Sequence, residues 1–300
     1  MSYTAKVKEE ILKLEESKTE QIARLSAFIK NNHVIKDNIM ILSTENSLIK
    51  DKIKQDIISL TDIDVEEEIT SGNNFSSKNL YLLKIVDYVV LLRILGLEKG
   101  LVDQYVVDSN SEIRSYIKGA FLASGSVNDP KTSRYHMEIV VSDSAEAVFI
   151  QRLLNIFMLN AKIITRDKGY MIYLKDAEMV SDFLKIIGAS NAVMYYEDVR
   201  IYRDKMNHTN RLNNCEQANT DKIISSALRE LECIQKIEDN MALSLLDDKT
   251  KEALEYRKKY KESSLKELSE IISLETGKKI TKSGLYHRFR KIKDLASKFE

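Results

Sequence analysis

Two short helical stretches built from small residues recur 93 residues apart, each followed by the same alternation of extended and helical runs. The second, residues 116–130, reads Tyr-Ile-Lys-Gly-Ala-Phe-Leu-Ala-Ser-Gly-Ser-Val-Asn-Asp-Pro. Gly119 and Ala123 stand one helical turn apart, so another backbone can come close to that face. Glycine inside a helix costs about 1 kcal/mol relative to alanine, and Gly119 therefore asks for a packing reason. The first stretch, residues 23–32, aligns Ser26 with Gly119, Ala27 with Ala120, Phe28 with Phe121 and Ile29 with Leu122. After it come an extended run (33–43), a helical run (45–60) and two strand-like runs (63–70, 80–86). After the second copy the order returns at 135–142, 144–159, 161–166 and 170–175, where Ile163 and Ile164 pair with residues 171–173. A repeated α-β-β-α-β-β-α unit is the expectation, preceded by helical periodicity over residues 6–31 with Ile11, Leu14, Ile22, Leu25 and Ile29 inward.

Residues 117–125 match the LAGLIDADG motif of homing endonucleases at Gly119, Ala123 and Gly125. The whole duplicated unit resembles a single-chain LAGLIDADG fold, with the two small-residue helices packed together between two antiparallel sheets. In that family an acidic residue near the end of each motif helix holds the divalent ions that activate water. The resemblance places those positions at Ser124 and Asn31, neither of which carries a charge. Asp129 lies five residues beyond Ser124 in an Asn128-Asp129-Pro130 turn and has no acidic counterpart after Asn31. Metal-dependent DNA cleavage is thus the remote alternative, and the chain is read as not an enzyme, with no catalytic residue and no metal ligand.

Other chemistries find little support. Cys215 and Cys233 have no Cys or His partners at ligand spacing, which argues against a structural zinc site or a disulfide framework. His33, His136, His208 and His287 are scattered, and no Gly-rich phosphate loop is present, so no cofactor is implied. The most apolar window, residues 80–97, is broken by Lys84, Asp87 and Arg93, and the first residues lack the apolar core of a secretion signal. The expectation is a soluble, cytoplasmic, nucleoid-associated protein without membrane contact.

A net charge of zero hides an asymmetry. Residues 251–300 hold 14 Lys+Arg against 8 Asp+Glu, leaving 32 against 38 in residues 1–250. Residues 276–293 hold seven bases and no acid, which calls for an acidic partner. From residue 220 onward the pattern is helical, with Ile223, Ala227, Leu231 and Ile234 on one face and a charged helix over 250–262. Ser263 or Ser264 caps a helix over 265–273 with Leu265, Leu268, Ile271 and Ile272 inward. After a Gly277 turn, a last helix beginning near Thr281 or Ser283 buries Leu285, Phe289 and Ile292. Two short helices joined by a tight turn, the second basic on its outer face, describe a helix-turn-helix. The candidate DNA contacts are Ser264, Lys266, Lys278, Lys279, Thr281, Lys282, Ser283, Gly284, Tyr286, His287, Arg288, Arg290, Lys291 and Lys293. Lys278, Lys279 and Lys293 suit phosphates, whereas Arg288 and Tyr286 suit base edges. Upstream, Arg203, Asn207, Asn210, Arg211 and Asn213 lie in a stretch poor in apolar residues. That stretch is either a solvated connector or one that meets DNA.

Residues 283–292 (Ser-Gly-Leu-Tyr-His-Arg-Phe-Arg-Lys-Ile), 119–130 and the connector 210–219 closely resemble the bacterial WhiA family, sporulation and cell-division regulators of Gram-positive bacteria. The resemblance spans essentially the whole chain in order. It implies a LAGLIDADG-like N-terminal module, a linker and an all-α C-terminal helix-turn-helix similar to region 4 of sigma factors. The expected division is a first repeat over 1–96, a second over 97–205, a linker over 206–220 and the DNA-binding domain over 221–300. The implied partner is double-stranded promoter DNA, with RNA polymerase or other regulators as protein partners. A division-associated adaptor that uses DNA only as an anchor is the alternative. The first repeat departs most from the motif, with Asn32 where a glycine would stand.

Overall fold

The structure, a computed structural model, describes residues 2–71, 79–132, 134–167, 169–240 and 243–299. These divide into two compact units, Met1–Arg203 and Asp204–Glu300. Among the described residues no helix is long and apolar enough to cross a membrane.

The first unit contains the duplication. Helix α1 (Tyr3–Leu12) precedes α2 (Lys18–Lys30), strands β1 (Val34–Lys36) and β2 (Ile39–Thr44), α3 (Ser47–Thr61), β3 (Glu66–Ser71), β4 (Asn79–Ile85) and α4 (Tyr88–Ile94). The order repeats as α5 (Asn110–Ser124), β5 (Gly125–Val127), β6 (Met137–Val141), α6 (Ser144–Ile156), β7 (Lys162–Arg166), β8 (Gly169–Leu174) and α7 (Ala177–Ile186). The two four-stranded antiparallel sheets have equivalent orders, β1-β2-β4-β3 and β5-β6-β8-β7. Ile163 faces Ile172 and Ile164 faces Met171, the register expected from the sequence. The turn expected at 71–77 falls, from residue 72 on, outside the described residues.

Three local features differ from the sequence reading. The single helix expected over 6–31 is two helices, because Ser17 and Glu20 form a capping box that starts α2 afresh. The extended run 33–43 is a hairpin whose turn residues Asp37 and Asn38 both have positive φ, 51° and 61°. Residues 206–220, expected as a linker, lie within α8 (Ser190–Asn240), which begins in the first unit and ends in the second.

At the centre of the first unit α2 packs on α5. Every residue of α2 from Ala23 to Ile29 is buried, as is every residue of α5 from Ser115 to Leu122. A Cβ added at Gly119 would sit 2.0 Å from the Arg24 carbonyl oxygen and 3.0 Å from the Ala27 Cβ. Only glycine permits that approach. Beside the contact a buried ion cluster joins the helices. Glu16 lies 2.7 Å from Arg24 Nε and 2.9 Å from Lys118 Nζ, and Arg24 also meets Asp56 of α3 at 2.5 Å. Burial opposes the charge on Arg24, but Asp56 and Glu16 more than offset it and hold the guanidinium protonated.

In the second unit the last part of α8 packs with α9 (Asp248–Lys259), α10 (Leu265–Thr276) and α11 (Lys282–Ala296). Its core joins Ile234, Ile237, Leu254, Leu268, Ile272, Leu285, Phe289 and Ile292. Arg257, 1 % exposed, sits at its edge. It approaches Glu230 at 2.8 Å, donates to the Ser263 carbonyl at 2.6 Å and lies over the Phe289 ring at 5.3 Å. One guanidinium thus ties α8, α9, the entry to α10 and the floor of α11 together.

The expected outcome for Gly119→Ala is a loss of about 1 to 3 kcal/mol from the first unit, because the added methyl overpacks the α2–α5 contact. Urea unfolding of the full chain reads this. A variant as stable as the parent would show that the helices do not meet at Gly119.

Candidate nucleic-acid interface

The helix-turn-helix is set by caps. Ser264 and Glu267 form a capping box at the start of α10, and Gly277 ends that helix in the left-handed region at φ 68°. Ser273 Oγ then accepts the Ile280 amide at 2.9 Å, and Thr281 Oγ1 accepts the Gly284 amide at 3.1 Å to open α11. No acid lies in the first turn of α11. Its N-terminus, preceded by Lys278 and Lys279, is therefore free to receive an anion. A Cβ at Gly284 would meet only Thr281 Oγ1, at 3.4 Å, so internal packing does not demand glycine there.

Leu285, Phe289 and Ile292 are buried as expected. The bases around them separate into two sets. Arg288, expected on the outward polar face, is half-buried and turned to α9. It donates to Glu252 at 2.7 Å and to the Lys249 carbonyl at 3.1 Å. Lys291 pairs with Asp247, whose carboxyl is pushed down to about 2, first by that contact and then by bonds from Thr250. Lys258 and Lys259 are likewise held, by Glu238 and Glu275. The side chains of Lys266, Lys278, Lys279, Lys282, Arg290 and Lys293 are exposed, and none has a hydrogen bond or ion pair with a described residue. Ser283, Tyr286 and His287 are exposed between them, the two rings edge to face at 5.9 Å. Helical spacing puts Arg288 and Lys291 one turn apart and on the α9 side, while Tyr286, Arg290 and Lys293 share the open face. Ser264 and Thr281 are the caps themselves, with their oxygens engaged by backbone amides.

The upstream candidates also separate. Arg203 donates to the Pro130 carbonyl at 2.5 Å and lies 5.1 Å over the Tyr135 ring, within the first unit. Asn207, Asn210, Arg211 and Asn213 are exposed on α8, and the first three share a face.

At the motif ends, Asn31 caps α2 and donates to Ala27 O at 2.8 Å and to Glu146 at 3.2 Å. Glu146, 1 % exposed, also accepts from Tyr116 at 2.8 Å, and burial pushes its carboxyl up. Ser124 ends α5 with a buried hydroxyl that has no hydrogen-bond partner. Sequence reasoning missed how this end of α5 is held. Helix α1 is fastened to this end of α5: Thr4 bonds Val127 in both directions, and Lys8 donates to Leu122 O at 3.0 Å. Burial pushes the Lys8 ammonium down to about 8. Among the described residues no three His, Cys, Asp or Glu side chains gather as metal ligands would.

Comparison with known proteins bears on both units. Residues 113–206 match the family model described as the WhiA LAGLIDADG-like domain, and residues 209–296 match the WhiA C-terminal HTH domain. The chain is 39% identical over 309 aligned positions to the "Probable cell division protein WhiA" of Bacillus cereus (strain AH187), covering 99% of this chain and 97% of that protein. The protein of the same name from Bacillus anthracis matches equally. Among solved structures, full-length DUF199/WhiA from Thermatoga maritima aligns with a TM-score of 0.61 at 21% identity, over 100% of this chain and 99% of that one. The N-terminal LAGLIDADG domain of DUF199/WhiA aligns with a TM-score of 0.51 at 20% identity, over 62% and 92%.

Two expected outcomes follow from the geometry. Arg288→Ala strands the Glu252 carboxylate and costs about 1 to 3 kcal/mol in urea unfolding, whereas Arg290→Ala leaves stability unchanged. Equal effects would contradict the sorting of the two guanidiniums. For Lys8, the unfolded chain binds the proton more tightly than the folded one, since the folded value is the lower. Its contribution to stability is therefore flat below about 8 and rises from there toward its ordinary 10.5. Unfolding at neutral and at alkaline pH should show that rise in the parent and lose it in Lys8→Met. An identical pH dependence in the two proteins would mean that Lys8 is solvated.

Proposed function

The chain belongs to the WhiA family, and from that premise we propose that it is a DNA-binding transcriptional regulator acting in cell division, chromosome segregation or sporulation. The observation that carries this reading is the sorting of charge around α11. Acids of α9 and its cap hold Arg288 and Lys291, leaving Tyr286, Arg290 and Lys293 open on the opposite face. In this reading α11 is the recognition helix. Lys278, Lys279 and Lys282 meet phosphates beside its N-terminus, and the bare Gly284 lets the backbone approach closely. Arg290 takes the base-edge role, with Tyr286 and His287 beside it. Ser283 and Lys266 complete the contact, and Asn207, Asn210, Arg211 and Asn213 extend it along α8. Arg288, Lys291 and Arg203 position other elements. The working division keeps two repeats, a connector over 206–220 that is helical, and the DNA-binding domain over 221–300. RNA polymerase or other regulators are the protein partners.

The first unit keeps the endonuclease-like scaffold without the chemistry. Asn31 and Ser124 offer no carboxylate to a divalent ion, and the Lys8 ammonium lies beside the end of α5. One observation favours the adaptor reading for this unit. Glu66, Glu67 and Glu68 are exposed in succession on β3, and the nearby Lys50, Lys54 and Lys84 pair with Glu67 and Glu68, so these three lysines are not free to meet DNA.

Lys279→Ala is expected to weaken binding to every duplex equally and to flatten the salt dependence by roughly one unit of slope. Arg290→Ala should instead narrow the gap between a preferred promoter duplex and random DNA, by about 1 to 3 kcal/mol. Titrations at several salt concentrations on both duplexes separate the effects, and neither duplex should be cut with magnesium or manganese. No promoter preference in the parent would favour the adaptor, and proportional losses in both variants would make Arg290 another phosphate contact.

A further inference from the structure

Between α8 and α11 the second unit has a cavity of about 360 Å³. Its apolar surface comes from Leu265, Phe289 and Ile292, and Tyr286 lines it with a ring that is 55 % exposed. Arg229 of α8 and Arg290 and Lys293 of α11 also line it, and none of the three is in an ion pair with a described residue. Glu230 lines it as well, but its carboxylate lies 2.8 Å from Arg257 Nε, so its charge is compensated from outside the cavity. Asp294 is the remaining acid, and the local balance stays positive.

We propose that this cavity binds a small aromatic phosphate of the mononucleotide class and that ligand and DNA exclude each other, because both use Arg290 and Lys293. Unpaired cations around an apolar, ring-lined floor fit a ligand with one flat apolar part and one anionic part. A bare phosphate leaves the floor wet, and a neutral apolar ligand leaves three cations unpaired. Arg229 distinguishes the cavity from the DNA surface, since it stands on α8 and outside the helix-turn-helix. The competition half rests on the DNA-binding reading, whereas the ligand site does not.

The chain's own two cysteines supply the test. Cys233 lines the cavity, and Cys215 is exposed on α8 outside it. The full-length protein is alkylated with iodoacetamide in the presence of each ribonucleoside 5′-monophosphate at millimolar concentration, and each cysteine is followed by mass spectrometry. At least one nucleotide should slow Cys233 by about fivefold or more and leave Cys215 unchanged, while inorganic phosphate and the free nucleoside protect neither. Arg229→Ala should abolish the protection. The protecting nucleotide should also weaken duplex binding about fivefold or more in the parent but not in Arg229→Ala, whose own duplex affinity stays within about twofold of the parent. No protection of Cys233 by any of the nucleotides, or equal slowing of both cysteines, overturns the site. Protection with undiminished duplex binding overturns the competition. Protection in a protein that binds no duplex upholds the site and sinks the regulator reading instead.

Discussion

The first unit depends on one close approach, the backbone of α5 at Gly119 against the carbonyl of Arg24 in α2. Small residues make that approach possible, yet a smooth small-residue face specifies the axial position of one helix along the other only weakly. The ion cluster at its side supplies what the face lacks. Glu16, fixed in the turn before α2, reaches a cation on each helix, and Arg24 reaches on to Asp56 of α3. Buried pairs of this kind add little net stability over an apolar replacement, because desolvation offsets most of the attraction. Breaking one by removing a partner leaves an uncompensated charge and is costly. Specification of register, rather than strength, is the physical role that suits the cluster, and unfolding of a Glu16→Met, Arg24→Met, Asp56→Leu, Lys118→Met quadruple variant, which leaves neither cation of the two helices without its partner, would test it: a unit less cooperative but no less stable is the expected result.

The same division of charge recurs in the second unit with a different consequence. Arg257 is enclosed by Glu230, backbone carbonyls and the Phe289 ring, and it serves the fold. Arg288 and Lys291 are drawn to acids at the start of α9. Once those are subtracted, the basic run of residues 276–293 reduces to a coherent open set on the turn and one face of α11. A helix carrying five Lys and Arg residues would repel itself if all faced the same way. Pairing part of the set internally lets α11 pack and still leaves a positive face.

Much of this was legible in the sequence, for reasons that differ by element. The duplication could be read because small residues in a helix and an identical order of runs leave few folds open. The inward stripe of α11 could be read because Leu285, Phe289 and Ile292 follow helical period. The break at Ser17 was also written in the chain, as Ser-x-x-Glu, and the hairpin at Asp37-Asn38 as a pair of residues tolerant of positive φ. Both signals were masked by the longer periodicity around them. The orientation of Arg288 was not legible, since it depends on where Glu252 lies, and that is decided by how α9 packs on α11. Nor was the role of α1, whose polar contacts reach residues more than 100 positions away.

Those distant contacts give the motif ends their character. At the end of α5 the chain sets a lysine amine against a helix C-terminus. The carbonyls at that end need a donor, and Lys8 supplies it to Leu122 at 3.0 Å. Thr4 and Glu10 meanwhile fasten α1 to β5 and to the start of α8. The packing of α1 thus sets a cation, rather than a carboxylate, against the end of α5.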